Sequence, residues 1–338
     1  MDRLRPFLAA RTNSLCRGLI ARNRIAGRRP ALSIFTGTRF NPAVANLQIK
    51  TVETLDAPEL AIYLTLRRVD EHERARVLVA ANIKTVRRLL ASRFTVLSAL
   101  LTPQWLEALE PSLRARPETI TVFVAEAALL DTITGYKMHQ GALAVARIPP
   151  TPDFETLWAG SPRPLLLAAI EGLASAENLG AVVRSCAAFG VHFLLVGETC
   201  GSPYQRRAVA GSMGTIFEQP VLPVENLVAK LTAFRARGVR CLAAHPRPGA
   251  TQLADADLRG DCCLVFGAEG PGLTPALLAA CDDTVEIPMP SHMNSLNVAA
   301  ATAVFLYEAT RQRKPLRSDR GFAARPDFSP AGEAPGLT

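Results

Sequence analysis

Apolar and polar positions change period repeatedly along this chain, and the change of period predicts alternating strands and helices. Leu165–Ile170 is a continuous apolar run, the pattern of a central parallel strand buried on both faces. Shorter runs at His192–Val196, Arg240–Ala244, Cys263–Phe266 and Thr284–Pro288 read as further strands, with Val221–Pro223 as a short edge piece. Helical periods lie between them at Asn178–Phe189 and Leu227–Arg237, the latter stopped by Gly238. Thr274-Pro275 opens a helix to Ala280, with Thr as N-cap and Pro in the first turn. Leu296–Arg313 is the last and longest helical pattern.

The region upstream repeats the alternation on a smaller scale. Leu60–Leu66 reads as helix, Val77–Ala80 as strand, and Ile83–Ala91 as an amphipathic helix with Val86, Leu89 and Leu90 on one face. Val96–Leu101 and Thr121–Val124 read as strands around a helix at Pro103–Leu109, and Ala142–Ala146 makes a last strand. Five prolines within the 17 residues Ile148–Pro164 interrupt the pattern and mark a boundary. The expected organisation is an arm at 1–48, a small α/β domain at 49–148, a Pro-rich linker at 149–164, a larger α/β domain at 165–314 and a disordered tail at 315–338.

Charge changes this picture at one place. The formal net charge is +8, yet residues 1–50 hold nine Arg and one Lys against Asp2, so the rest of the chain is close to neutral. Three readings of this arm stay open: RNA contact, an Arg-rich targeting leader, or sequence added by an upstream start codon. No apolar run approaches the roughly 20 residues of a membrane helix. The run from Val298 continues into Tyr307, Glu308 and Arg311. Seven cysteines without any C-x-x-C pair suggest a reducing, cytoplasmic setting with neither structural disulfides nor a metal site. Adjacent Cys262 and Cys263 would point to opposite faces of a strand.

Three short segments carry the candidate chemistry, each placed after an apolar strand and before a helix. In a parallel sheet all three lie at the carboxyl ends of strands, where ligands bind. The first is Asn178-Leu-Gly-Ala-Val-Val-Arg184. Asn178 reads as an N-cap, Gly180 as a point of close backbone approach, and Arg184 as a guanidinium interrupting an apolar helix, where burial would demand an anionic partner. The second is Gly267-Ala-Glu-Gly-Pro-Gly272, a turn that is neither a dinucleotide fingerprint nor a P-loop. Glu269 either faces a ligand, holds Arg184, or is a solvated loop acid. The third runs from Ile287-Pro-Met289 to Ser295-Leu-Asn297, with Ser295 as an N-cap and Asn297 as an amide just inside an Ala-rich helix. His139 and His292 lie in polar loops, and no Ser/His/Asp set stands out.

Taken in order, these segments resemble the motifs of the SpoU (TrmH-type) RNA ribose methyltransferases, in the SPOUT class. N-x-G-x-x-x-R is Asn178, Gly180 and Arg184; G-x-E-G-x-G is Gly267, Glu269, Gly270 and Gly272; I-P-M with S-L-N-V is Ile287–Met289 and Ser295–Val298. Residues 50–148 are similar, more loosely, to the ribosomal-protein-like RNA-binding domain often fused in front. Asn82 stands where a glycine is common there, and Ala210 where relatives often carry an Arg, with Arg206 and Arg207 close by. The resemblance implies an α/β fold whose parallel sheet ends in a trefoil knot, and a homodimer. It implies S-adenosylmethionine as cofactor, held by Gly267, Ile287 and Leu296 with Gly272 and Met289 beside them. The implied reaction is methylation of a ribose 2′-hydroxyl, on ribosomal RNA first and tRNA second. Arg184 would stand at that hydroxyl near the partner's cofactor, with Asn178, Ser295 and Asn297 orienting it and Glu269 positioning Arg184. The rival expectations are an RNA-binding protein with an inactive catalytic domain and a nucleotide-dependent α/β enzyme of another kind.

Overall fold

The computed structural model describes residues 47–54, 57–66, 68–134, 141–290 and 295–313. Residues 1–46 of the basic arm, the tail, His139 and His292 lie outside the described residues. Two sheets organise the rest. The first contains β1 (Leu47–Thr51), β2 (Val77–Ala81), β3 (Val96–Leu101), β4 (Ile120–Val124) and β5 (Ala142–Arg147) in the order β1-β4-β3-β5-β2. β1, β4 and β3 run parallel, and β5 is antiparallel to both β3 and β2. Its helices are α1 (Ala61–Leu64), α2 (Val69–Arg74), α3 (Ile83–Leu90), α4 (Pro103–Arg114) and α5 (Ala127–Thr134).

The chain then enters α6 (Phe154–Gly160), inside the segment expected to be a Pro-rich linker that does not continue a helix. Asp153 caps this helix by accepting from Thr156 N at 2.8 Å. The second sheet follows, with β6 (Leu166–Ile170), α7 (Ala176–Ala188), β7 (Phe193–Gly197), α8 (Arg206–Gly211), β8 (Val221–Val224) and α9 (Leu227–Ala236). Next come β9 (Arg240–Ala244), the two-residue β10 (Thr251–Gln252), β11 (Cys262–Phe266), α10 (Pro275–Ala280), β12 (Asp283–Glu286) and α11 (Val298–Gln312). Its order is β10-β12-β9-β11-β6-β7-β8, and every pairing is parallel.

Strand alternation sorts the core. Leu166, Ala168 and Ile170 join the cluster under α7 and α11, while Leu165, Leu167 and Ala169 join the one under α9 and α10. Cys262 and Cys263 divide between the two in the same way. Phe154 and Trp158 of α6 lie against Phe234 of α9, with ring centroids 5.7 and 5.8 Å away. The cluster that contains Leu166 continues into the first sheet through Leu78, Val96, Leu101 and Val122. Phe94 and Phe217 meet edge to face at 5.2 Å along this seam, and Arg88 donates to Met213 O at 2.9 Å. Asn82 has φ +114°, which explains why glycine suits the position. Its side chain offsets the strain by capping α3, accepting from Thr85 N and Thr85 Oγ1, both at 2.9 Å.

Candidate active site

β12, β9 and β11 are neighbours in the sheet, so the loops after them open on one hollow. That cavity, about 500 Å³, is lined by Gly267–Gly272, Ile287, Met289 and Ser295–Val298, and floored by Phe266 and Phe305. All five expected cofactor contacts line it, together with Glu269, Ser295 and Asn297. The glycine loop is closed on itself: Ala268 N donates to Gly272 O and Gly272 N to Ala268 O, both at 3.1 Å. A Cβ at Gly267 would lie 2.3 Å from Gly272 C, so only glycine permits this closure.

Two N-cap assignments need correction. Ser175, not Asn178, caps α7, accepting from Asn178 N at 3.3 Å. Asn297, not Ser295, caps α11: its Oδ1 accepts from Ala299 N at 2.9 Å and Ala300 N at 3.4 Å. Asn297 is therefore an exposed cap rather than a buried amide. Its Nδ2 donates to Asn178 Oδ1 at 3.1 Å, which joins the first motif to the third. Gly180 lets α7 pack closely on α8, because a Cβ there would meet Ala208 O at 2.4 Å.

Arg184 stands apart from this group. It is exposed, on the face of α7 shared by Glu177, Ala181 and Ala188, while Leu179, Val182, Val183 and Cys186 face the core. It makes no ion pair or hydrogen bond among the described residues and does not line the cavity, and no contact joins it to Glu269. Within one chain, the structure therefore gathers every expected site residue except Arg184.

Sequence reasoning missed the wall supplied by Ala244, His245 and Pro246 at the end of β9. His245 stands over the glycine loop, its Nδ1 3.5 Å from where a Cβ on Gly272 would be. The only sequence signal was a His-Pro pair directly after an apolar strand. Glu171, after β6, anchors the same rim by accepting from Thr274 N and Thr274 Oγ1, both at 2.8 Å.

Among the described residues, no three His, Cys, Asp or Glu side chains cluster as a metal site. Burial pushes the Cys262 thiol up to about 11 and Cys281 up to about 12, so neither offers a thiolate near neutral pH. No described helix is long and apolar enough to cross a membrane.

The geometry defines a class: an α/β protein with a ligand hollow at the carboxyl ends of a parallel sheet. Comparison with known proteins narrows it. Residues 166–307 match the SpoU rRNA Methylase family. An uncharacterised tRNA/rRNA methyltransferase of Mycobacterium bovis is 34% identical over 272 residues, spanning 78% of this chain and 93% of the relative. A crystal structure of an RNA 2′-O ribose methyltransferase is 26% identical, with TM-score 0.65, covering 79% of this chain and 99% of that one. The AdoMet-bound rRNA methyltransferase of Sinorhizobium meliloti shares the fold at 22% identity and TM-score 0.68, covering 78% and 98%. The chain belongs to the SpoU family of RNA methylases.

Proposed function

We propose that this protein methylates a ribose 2′-hydroxyl of RNA using S-adenosylmethionine, with ribosomal RNA ahead of tRNA as substrate. The observation that carries the reading is the Asn297–Asn178 hydrogen bond at the mouth of the glycine-loop cavity. The residues fit the cofactor. About 500 Å³ is within the range of small-molecule sites. Phe266, Ile287, Leu296 and Phe305 supply apolar walls, and a Cβ at Gly270 would meet no atom within 4 Å, so the backbone there is open.

When bound, S-adenosylmethionine supplies an electrophilic methyl group. The protein's part is to exclude water, fix the ribose and stabilise charge on its oxygen. Asn178 and Asn297 form a preset pair of amides for the ribose, with Ser295 beside them. Arg184 is a poor base, since a guanidinium stays protonated in proteins. It is suited instead to stabilising the developing alkoxide or anchoring the adjacent phosphate. Glu269, at the cavity rim, would position that guanidinium.

Because Arg184 faces away from its own cavity, we place it at the cavity of a second copy. The exposed side of α11 supports such a homodimer. Ala300, Val304, Tyr307 and Arg311 are exposed at spacings of four, three and four, and Val304 and Tyr307 are 40% and 58% accessible. α7 packs alongside α11, so Arg184 and this apolar stripe belong to one pair of helices. We read the final segment as a deep trefoil knot, since the chain returns after β12 to place α11 against α7 and β11. Residues 49–148 serve in this reading as the RNA-binding domain, and the free cysteines suit a cytoplasmic setting.

The test is transfer of radiolabelled methyl from S-adenosylmethionine to protein-free rRNA and to tRNA, followed by mapping of 2′-O-methyl positions. Label on a base, or on neither RNA, overturns the proposal. Calorimetric binding of S-adenosylmethionine excludes the inactive RNA-binding alternative.

A further inference from the structure

Several arginines elsewhere on this surface pair with carboxylates, as Arg237 does with Glu155 and Arg259 with Asp257. Along the seam between the two sheets they do not. Arg76 precedes β2 and Arg147 ends β5, and Val77 and Arg147 are opposed in register. The two arginines line an open cleft of about 330 Å³ with Ile148, Pro150 and Thr151. Arg76 is held there in a left-handed conformation, φ +51°, while its carbonyl accepts from Ile148 N at 2.9 Å.

Tyr204, from the loop between β7 and α8, reaches the same seam, with its ring 6.3 Å from that of Phe94. Burial raises its pKa, and the nearby charges of Arg76 and Arg93 oppose that rise. Arg206 opens α8, which packs on β2, and acts electrostatically on His72 of α2. Its Nε is buried without a hydrogen-bond partner. Arg93 and Arg147 form no ion pair or side-chain hydrogen bond among the described residues, and Arg76 gives one N–H to Pro149 O at 3.1 Å. Glu71, the acid that acts on His72, is already bonded to Arg68 at 2.9 Å.

Arg76 and Arg147 share the cleft, Arg93 and Arg206 lie along the same seam, and among the described residues none of the four is paired with a carboxylate; like charges so placed repel one another, and an anion relieves that repulsion. A planar guanidinium matches phosphate oxygens bidentately, and a tyrosine hydroxyl adds a donor. The track also leads to the site. Arg207, next to Arg206, pairs with Glu177, which directly precedes Asn178. We propose that Arg76, Arg93, Arg147 and Arg206, gathered around Tyr204, form a docking groove for the phosphodiester backbone of the RNA substrate. The groove would hold a stretch of backbone while another part of the same RNA enters the cavity. This rests on the RNA-methylation reading above and extends it to a surface outside the reacting centre.

The test compares wild type with Arg76→Ala/Arg147→Ala and with Arg206→Lys and Arg206→Ala. Binding to protein-free bulk rRNA, with bulk tRNA in parallel, is measured across a KCl series, alongside S-adenosylmethionine affinity and melting temperature. The double variant is expected to bind RNA about tenfold or more weakly at moderate salt, and its log–log salt slope to flatten by about one to two. KM for RNA rises, while kcat at saturating RNA, cofactor affinity and melting temperature hold. Arg206→Lys should retain most of the binding that Arg206→Ala loses. Unchanged RNA affinity and slope in the double variant overturn the groove, as does a loss of RNA binding matched by an equal loss of cofactor binding in every variant. Saturation of wild type by inorganic phosphate that blocks RNA at constant ionic strength would make this a small-anion site and also overturn it. Failure of wild type itself to bind or methylate either RNA is a separate result, and counts against the underlying function.

Discussion

Asn297 Nδ2 donates to Asn178 Oδ1 at 3.1 Å, across 119 residues of chain. The orientation of this amide pair follows from helix capping. Asn297 Oδ1 is committed to the N–H groups of Ala299 and Ala300, so its nitrogen must face Asn178. Asn178 then offers its own two amide hydrogens to whatever occupies the mouth of the cavity.

Asn178→Asp keeps the acceptor for Asn297 and removes those hydrogens. Its melting temperature should stay within about 2 °C of wild type, since the side chain is only half-buried and keeps its bond to Asn297, while methyl transfer falls at least about tenfold. Asn297→Ala should instead lose stability, by about 1 kcal/mol for the cap. Wild-type turnover by Asn178→Asp would remove the amide hydrogens from the mechanism.

Arg184→Ala should fold normally, because the side chain is exposed and has no ion pair or hydrogen bond among the described residues. Turnover should fall by about 3 kcal/mol in barrier, the typical effect of removing one preorganised donor. Cofactor affinity measured by calorimetry should hold within about threefold. Retained activity would refute the charge-stabilising role.

Gly267→Ala and Gly270→Ala separate closure of the loop from its local strain. At Gly267 the added methyl would sit 2.3 Å from Gly272 C and 2.4 Å from Leu273 N, both backbone atoms. Cofactor binding should be lost with the loop's shape. At Gly270 the methyl meets nothing within 4 Å, and only φ +86° opposes it, at about 1 kcal/mol. Binding should largely survive there, and equal losses in the two variants would contradict the closed-loop account.

Tyr307→Asp, or Val304→Asp, places a charge in the exposed apolar stripe of α11. Light scattering should show wild type as a dimer and the variants shifted toward monomer, with activity lost in parallel. A monomeric, active wild type would rule out a role for Arg184 across subunits.

His192 links stability to pH. Burial, the leading cause, holds its pKa below the usual imidazole value, and Arg313 and Arg163 nearby push the same way. The Leu166 backbone and Asp261 pull it up without reversing the shift. The unfolded chain then binds the proton more readily, so this contribution is complete above about pH 6.5 and is lost as pH falls through the lower folded value. His72 is depressed in the same direction, also chiefly by burial. Melting temperature should therefore decline on going from pH 7 toward pH 5. His192→Asn, which can still accept from Leu166 N, should show a shallower decline; an unchanged slope would exclude this histidine.

Local pattern made much of the second sheet legible. Leu166–Ile170, Cys262–Phe266 and Pro275–Ala280 lie within a residue or two of the expected bounds, because both faces of those strands are apolar and Thr274-Pro275 marks its helix start. β1 was missed because its apolar–polar alternation spans only Leu47 to Lys50, and Gln48 to Thr51 of this edge strand are exposed. The residues of α6 sit between prolines, and what makes that helix worthwhile is the contact of Phe154 and Trp158 with Phe234, more than 70 residues away in sequence. In α7, Arg184 interrupts an apolar run, so neighbours alone left it open between a surface and a buried position; a turn of 100° per residue carries it to the open face.

The sequence by itself determined the two periods, the breaks between them and the three polar loops that follow strands, since these depend on neighbours only a few residues apart. Tertiary structure alone decided that β9 stands between β11 and β12, bringing His245 to the cavity wall, and that the ends of α7 and α11 meet at two asparagines. Strand order and helix-end contacts come from burying apolar faces against distant parts of the chain, and no local period records which distant face will be the partner.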